Sequence, residues 1–233
     1  MAHLAHYREA HPLPFIITHW VNLICMVLLA FTGFYIHYPF FGGFMGIARG
    51  VHIFCAFVIL ANLVFRVVAA FFIKSAPTGG TREVDYDWKA FAPQKDNRHQ
   101  LGAWIKYYLF MSKTHPLGGK YGVPQKLAYL AIPFLLIIVA FTGFCIWAPT
   151  SAVGPFGAFN HLVGGVVVTR IVHYFMMWVF ILFTMLHGYL ALIEGLAPAK
   201  LMFGRKEHGG LVYDTKAHNI VGEDDLHSQG SAD

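Results

Sequence analysis

The amino-acid sequence predicts an all-α membrane protein, a bundle of four transmembrane helices, and two observations support this fold class. Of the 233 residues, 57% are hydrophobic and only 12% are charged, which lies well outside the composition of soluble domains. Four apolar runs are each long enough to cross the hydrocarbon core of a bilayer, which takes about 20 helical residues. The predicted spans cover about residues 15–36, 51–73, 127–147 and 166–193.

The spans and their connections form one predicted domain over residues 1–200, followed by a polar tail at 201–233. A short connection rich in glycine and aromatic residues joins spans 1 and 2. Spans 2 and 3 are joined by a long polar segment in which residues 104–113 predict an interfacial helix. A loop over residues 148–165 joins spans 3 and 4.

Lysine and arginine positions predict the orientation of the spans. The two loops after spans 1 and 3 carry only Arg49 and Arg170, whereas the long segment and both terminal segments carry the other basic residues outside the spans. Because cytoplasmic loops are enriched in Lys and Arg, both termini are predicted to be cytoplasmic. The net charge of +5 therefore reflects topology, and no nucleic-acid partner is expected. The other basic residues are Arg8, Lys74, Arg82, Lys89, Lys95, Arg98, Lys106, Lys113, Lys120, Lys126, Lys200, Arg205, Lys206 and Lys216.

Three cysteines fall inside apolar runs and lack the spacing of a metal or haem-attachment motif. Cys25, Cys55 and Cys145 form neither CxxC nor CxxCH. This pattern argues against a disulfide framework, a zinc knuckle and covalent c-type haem. Any haem is therefore expected to be held without covalent attachment.

Four histidines within the spans sort into two pairs by depth. His173 and His187 lie fourteen residues apart in span 4, so they share nearly one helix face and stand roughly 21 Å apart along the axis. With the predicted orientation, His52 lies near the outer face with His173, and His19 near the inner face with His187. Histidine in lipid is costly and usually functional. The pairs predict bis-histidine ligation of two stacked b haems; the alternative is core histidines that each hydrogen-bond to a neighbouring helix.

The two helical hairpins repeat one plan. AFTGF occurs at 30–34 and again at 140–144, and each even-numbered span opens with RxxH, at Arg49–His52 and at Arg170–His173. Gly33 and Gly143 would allow a helix or a flat cofactor to approach the backbone closely.

The arginines of the spans are candidate partners of haem propionates. Arg49 and Arg170 each stand three residues before an outer histidine, one turn towards water, where a guanidinium can pair with a propionate. Arg66 follows His52 by fourteen residues and is a candidate for the inner propionates. The alternative for Arg66 is that its side chain reaches to the interface.

These residues resemble a known family. The spacing of His173 and His187, the RxxH motif of span 2, TGF in span 1 and HGYLAL at 187–192 resemble the di-haem cytochrome b subunit of membrane-bound nickel-iron hydrogenases. Its relatives are the gamma subunits of respiratory formate dehydrogenases and the cytochrome b of thiosulfate reductases. The resemblance covers about residues 10–200.

The resemblance implies a multi-pass protein of the bacterial cytoplasmic (inner) membrane, in contact with membrane lipid. It implies two haem b, with menaquinone or ubiquinone as substrate. The implied partners are the iron-sulfur small subunit and the catalytic large subunit of a hydrogenase-type complex. Catalysis by the chain itself would be limited to quinone reduction or oxidation, as part of a hydrogen:quinone oxidoreductase.

The stretch GGKYGVPQK at 118–126 resembles the KYNxxQK stretch that borders the quinone site in these relatives. Gly122 stands where asparagine is usual. The implied quinone contacts are His115, Lys120, Tyr121 and Gln125.

Other functions stay open at this point. The chain could anchor a formate dehydrogenase or thiosulfate reductase type complex, or act alone as a cytochrome b561-like quinone oxidoreductase. The long polar segment and the tail favour a subunit of a complex. A transporter or ion channel whose histidines relay protons would be colourless.

Overall fold

The computed structural model describes residues 3–5, 12–75, 85–91, 99–113, 123–193, 202–203, 211–214 and 219–222, which are mostly helical. Four long helices are apolar enough to cross a membrane, and the chain is an integral membrane protein. The described parts of the connections contain two shorter helices and one 3-10 turn (Asp87–Ala90). The long helices are α1 (Leu13–His37), α2 (Met45–Phe72), α4 (Val123–Ile146) and α6 (Val166–Ile193), and the short ones are α3 (Leu101–Tyr108) and α5 (Gly154–Leu162).

Short strands depart from the all-α prediction. β1 (His3–Ala5), β4 (Leu211–Asp214) and β5 (Asn219–Gly222) form an antiparallel sheet in the order β1-β4-β5. β2 (Lys74–Ser75) pairs antiparallel with β3 (Asp85–Tyr86). All five strands lie in polar segments outside the apolar runs, where backbone pairing satisfies N–H and C=O groups. These segments carry no apolar periodicity that would have predicted them.

The helix bounds correct several predicted ones. α6 has the predicted bounds, but α2 begins at Met45, six residues earlier than expected, so Arg49 lies inside the helix with His52. Hydrophobicity placed the start of α2 too late, because the boundary of a helix is set by the backbone conformation. Here the backbone leaves the helical region at Gly43, whose φ is +80°, two residues before the helix begins. α4 begins at Val123 with Pro124 in its first turn, where proline is tolerated.

Two connections also differ from expectation. The predicted loop at 148–165 contains α5, which starts with Pro155 at its first turn. The predicted interfacial helix at 104–113 is observed at Leu101–Tyr108 and ends before Phe110, whose φ is +59°. A non-glycine residue with positive φ cannot continue a right-handed helix.

The described contacts divide the chain into two compact units. One unit comprises Met1–Ile17, Arg66–Leu130 and Leu190–Asp233, and the other comprises Thr18–Phe65 and Ala131–Tyr189. The prediction of one domain over 1–200 and a separate tail stays a prediction.

The second unit contains most of the four long helices, and polar contacts join α1 to α2 within it. Asn62 Nδ2 donates to Asn22 Oδ1 at 2.9 Å. The buried residues Cys25, Cys55 and Ile59 form an apolar cluster beside this contact, and both thiols are free. Hydrogen bonds between amide side chains are a common means of holding helices together in lipid.

The first unit contains a buried carboxylate, Asp87, which is 0% exposed. Arg66 Nη2 donates to Asp87 Oδ2 at 2.7 Å, and Ser75 Oγ donates to Asp87 Oδ1 at 2.7 Å. The Arg66 guanidinium also lies 3.9 Å from the centre of the Phe15 ring. A buried carboxylate is stable only with such partners, so these contacts hold the segment after α2 against the end of that helix.

Breaking this ion pair on one side should destabilise the protein more than removing both charges. For Asp87→Leu we expect a loss of about 3 kcal/mol in the free energy of unfolding, because Arg66 is left partly buried without its counter-charge. The double variant Arg66→Met with Asp87→Leu should recover part of that loss. Denaturant unfolding in a mild detergent measures both, and a double variant less stable than Asp87→Leu would contradict the assignment.

Candidate metal centre

The outer histidine pair lies between α2 and α6. The ring centres of His52 and His173 are 6.3 Å apart, and the ring planes are inclined at 60°. Both side chains are half-buried. The two histidines come from helices far apart in sequence, so packing of the helices alone brings them together.

The inner histidine pair lies between α1 and α6. His19 and His187 have ring centres 6.2 Å apart, with the planes inclined at 52°. Both predicted pairs are therefore the ones that the structure brings together. α6 supplies one histidine to each pair.

These spacings fit an iron held between two imidazoles. Two imidazoles trans to each other on one metal have ring centres roughly 6 Å apart, since each metal–nitrogen bond is about 2 Å and each ring centre lies about 1 Å beyond its nitrogen. The observed 6.3 Å and 6.2 Å agree with this requirement. Two rings that simply hydrogen-bonded to each other would lie closer.

The number of ligands favours haem over a bare metal ion. In the described ranges, no three His, Cys, Asp or Glu side chains converge on one point. A structural or catalytic zinc site needs three or four protein ligands. Haem iron needs at most two axial ligands from the protein, and each pair supplies two imidazoles.

A threonine contacts each outer histidine. Thr32 Oγ1 of α1 lies 2.9 Å from His52 Nδ1, and Thr142 Oγ1 of α4 lies 3.0 Å from His173 Nδ1. Both threonines are 2% exposed. The repeated AFTGF therefore supplies one hydroxyl to each outer ring. Sequence reasoning noticed this repeat but missed the threonines, although a buried hydroxyl in lipid always needs a partner.

The glycine after each threonine lies against the same ring. A Cβ at Gly33 would lie 3.6 Å from His52 Cε1, and one at Gly143 would lie 3.3 Å from His173 Cε1. A Cβ at Gly33 would also meet Met177 Sδ at 3.2 Å. The close approach predicted for these glycines is thus an approach of the histidine rings, and contact with a cofactor stays a prediction.

Aromatic rings surround the inner pair instead of hydroxyls. Trp20 meets His19 edge-on at 5.5 Å between ring centres, and Phe183 lies nearly parallel to His187 at 6.4 Å. Among the described residues, no side-chain hydroxyl or amide bonds to either inner ring. The two pairs therefore share a spacing and differ in their surroundings.

The three predicted propionate partners divide into two groups. Arg49 and Arg170 are exposed, and neither forms an ion pair within the part of the chain that the structure describes. Arg66 is paired with Asp87. The propionate role of all three stays a prediction, and Asp87 is a partner of Arg66 that sequence reasoning missed.

The predicted quinone residues fall largely outside the described residues. His115, Lys120 and Tyr121 lie there entirely. Gln125 belongs to α4, but its side chain is outside the description.

The comparisons with known proteins agree with this arrangement. Residues 10–205 match the family described as prokaryotic cytochrome b561. Two similar proteins are each named "Probable Ni/Fe-hydrogenase 1 B-type cytochrome subunit", one from Escherichia coli (strain K12) and one from Escherichia coli O157:H7. Each is 25% identical to this chain over 209 residues, which cover 82% of this chain and 84% of the relative. Because the family match spans most of the sequence and both histidine pairs, this chain belongs to the prokaryotic cytochrome b561 family.

Proposed function

We propose that this chain is the cytochrome b membrane subunit of a hydrogenase-type respiratory complex. It transfers electrons between an extracytoplasmic iron-sulfur partner and the membrane quinone pool, and it holds two b haems. The observation that carries this proposal is the pair of matched histidine spacings at two depths of the same helix α6. The names of the two relatives support a hydrogenase over a formate dehydrogenase or a thiosulfate reductase.

The residues of the two pairs have defined roles in this proposal. His52 and His173 hold the outer haem, and His19 and His187 hold the inner one. Haem iron supplies reversible one-electron transfer when bound. Helix α6 sets the separation of the two pairs at roughly 21 Å along its axis.

The distribution of Lys and Arg supports the proposed orientation of the helices in the membrane. The connections at the outer pair, residues 38–44 and 147–165, carry no Lys or Arg, and the nearest basic residues are Arg49 in α2 and Arg170 in α6, so a partner subunit can dock closely there. The long basic segment is proposed to face the cytoplasm and to bind the quinone head group. Quinone protons then come from the cytoplasm, so the electron path spans the membrane and contributes to membrane potential.

Haem content is the decisive test. We expect the purified chain to bind two low-spin b haems, visible in the dithionite-reduced absorption spectrum. His52→Ala and His173→Ala should each remove the outer component, and His19→Ala and His187→Ala the inner one, because each iron loses one of two protein ligands. Replacing His37, an exposed histidine that stacks on Tyr174, serves as the control and should leave both components.

A haem-to-protein ratio near one, or a high-spin reduced spectrum, would contradict the two-haem assignment. A colourless protein would instead support the transporter or channel alternative. Loss of the same component in His19→Ala and His52→Ala would show that the pairing is wrong. Purification without any partner subunit from its native membrane would favour the stand-alone quinone oxidoreductase.

The outer arginines should tune the haem and leave it bound. A charged hydrogen bond to a propionate contributes on the order of 1 to 3 kcal/mol. Since a tenfold change in a one-electron equilibrium is about 59 mV, Arg49→Gln and Arg170→Gln should shift the outer potential by tens of millivolts. A redox titration measures this shift, with Arg49→Lys and Arg170→Lys as charge-conserving controls. Unchanged potentials in both glutamine variants would reject the propionate role.

The quinone site should be separable from the haems. Lys120→Gln, Tyr121→Phe and Gln125→Ala should block quinone-dependent reoxidation while both haem spectra stay intact, because these residues are proposed to contact the quinone head group. Lys113→Gln, an exposed lysine of the same polar segment, is the matched control. Normal turnover in all three variants would place the quinone elsewhere.

A further inference from the structure

We infer that Thr32 and Thr142 are positioning residues for the outer haem, each accepting a hydrogen bond from Nδ1–H of its histidine and so leaving Nε2 to bind iron. This inference rests on the proposed function. It adds to that function the choice of ring nitrogen, the orientation of the ring and a difference between the two haem sites.

The direction of the hydrogen bond at Thr32 follows from its second contact. Thr32 Oγ1 lies 2.6 Å from the carbonyl oxygen of Leu28 one turn earlier. A carbonyl can only accept, and two oxygens come this close only with a hydrogen between them, so the threonine proton is used there. Its contact with His52 Nδ1 at 2.9 Å is then one in which the hydroxyl accepts. His52 therefore carries its proton on Nδ1.

Thr142 repeats this arrangement on α4. Its hydroxyl donates to the carbonyls of Ile138 and Val139, both at 3.0 Å, and meets His173 Nδ1 at 3.0 Å. The hydroxyl proton is again used on the helix's own carbonyls, so the oxygen accepts at His173 and that ring also carries its proton on Nδ1.

The adjoining glycines give the same rings room at their Cε1 edge. Gly33 and Gly143 present bare Cα atoms to the Cε1 edge of His52 and His173. Each Thr-Gly dipeptide therefore contacts Nδ1 through a hydroxyl and leaves space beside Cε1. A histidine ring turned over would place carbon against the hydroxyl and lose the hydrogen bond.

Only the outer histidine pair has these threonine hydrogen bonds among the described residues. Within the described residues, His19 and His187 face aromatic rings and have no hydroxyl acceptor. A hydrogen bond from the far nitrogen of a ligating histidine raises its basicity and favours the more highly charged metal. Removing the acceptor should therefore raise the reduction potential of the outer haem and leave the inner one unchanged.

The test compares valine and serine at each threonine. Thr32→Val and Thr142→Val conserve volume and remove the hydroxyl, whereas Thr32→Ser and Thr142→Ser conserve it. Thr184 donates to the Phe180 carbonyl at 2.8 Å and, within the part of the chain that the structure describes, forms no hydrogen bond to a histidine, so Thr184→Val is the matched control. The measurements are redox titration of each haem component and electron paramagnetic resonance of the ferric protein, with the outer component identified as the one lost in His52→Ala.

We expect each valine variant to shift the outer equilibrium about tenfold towards the ferrous form, equivalent to about 59 mV. The ferric outer signal should change with it, while the serine variants and Thr184→Val keep wild-type values. If a valine variant loses the outer haem and the serine variant keeps it with wild-type potential, the inference also holds.

Unmoved outer potentials in both valine variants would overturn the inference alone, provided that the wild-type protein has two bis-histidine haems. Equal shifts in both haems, or serine variants that behave like valine, would overturn it as well. A wild-type protein without such haems would overturn the proposed function, and the inference with it.

Discussion

The structure depends on the rule that a polar group within hydrocarbon must have a partner. Water is absent there, so each unpaired hydroxyl, amide or charge costs several kcal/mol. The described helices obey this rule: Asn22 bonds to Asn62, and Thr32 and Thr142 bond both to their own helix and to a histidine. Under the proposed function, the remaining partner of each imidazole in the two histidine pairs is haem iron.

Much of the fold could be predicted from the sequence because the bilayer imposes a length on every span. Four apolar runs appeared as four long helices, and the bounds predicted for α6 are those observed. Hydrophobicity does not determine where a helix begins, however. α2 starts at Met45, before the continuous apolar run, and its first turns contain two glycines and Arg49.

The sequence was enough to predict which histidines pair with each other, but not which side chains hydrogen-bond to their rings. Depth and helical period bring His52 to His173 and His19 to His187 without knowledge of side-chain packing. The threonine hydroxyls could not be assigned in this way, because a threonine in a helix is equally able to bond only to its own backbone, as Thr184 does. Asp87 was missed because it lies in a polar segment, where an acidic residue ordinarily faces water. Its pairing with Arg66 arises from tertiary packing alone.

Helix α6 carries one histidine of each pair, so the distance between the two sites can take only certain values. A helix advances about 1.5 Å and turns about 100° with every residue. Inserting or deleting one residue between His173 and His187 would therefore turn one imidazole away from its partner helix long before it changed the distance noticeably. Only changes of whole turns preserve both faces, and each such change moves the sites by about 5.4 Å. The spacing between the two histidine pairs can thus change in evolution only by large steps, so under the proposed function adjustment of electron transfer between them falls to the residues around each ring.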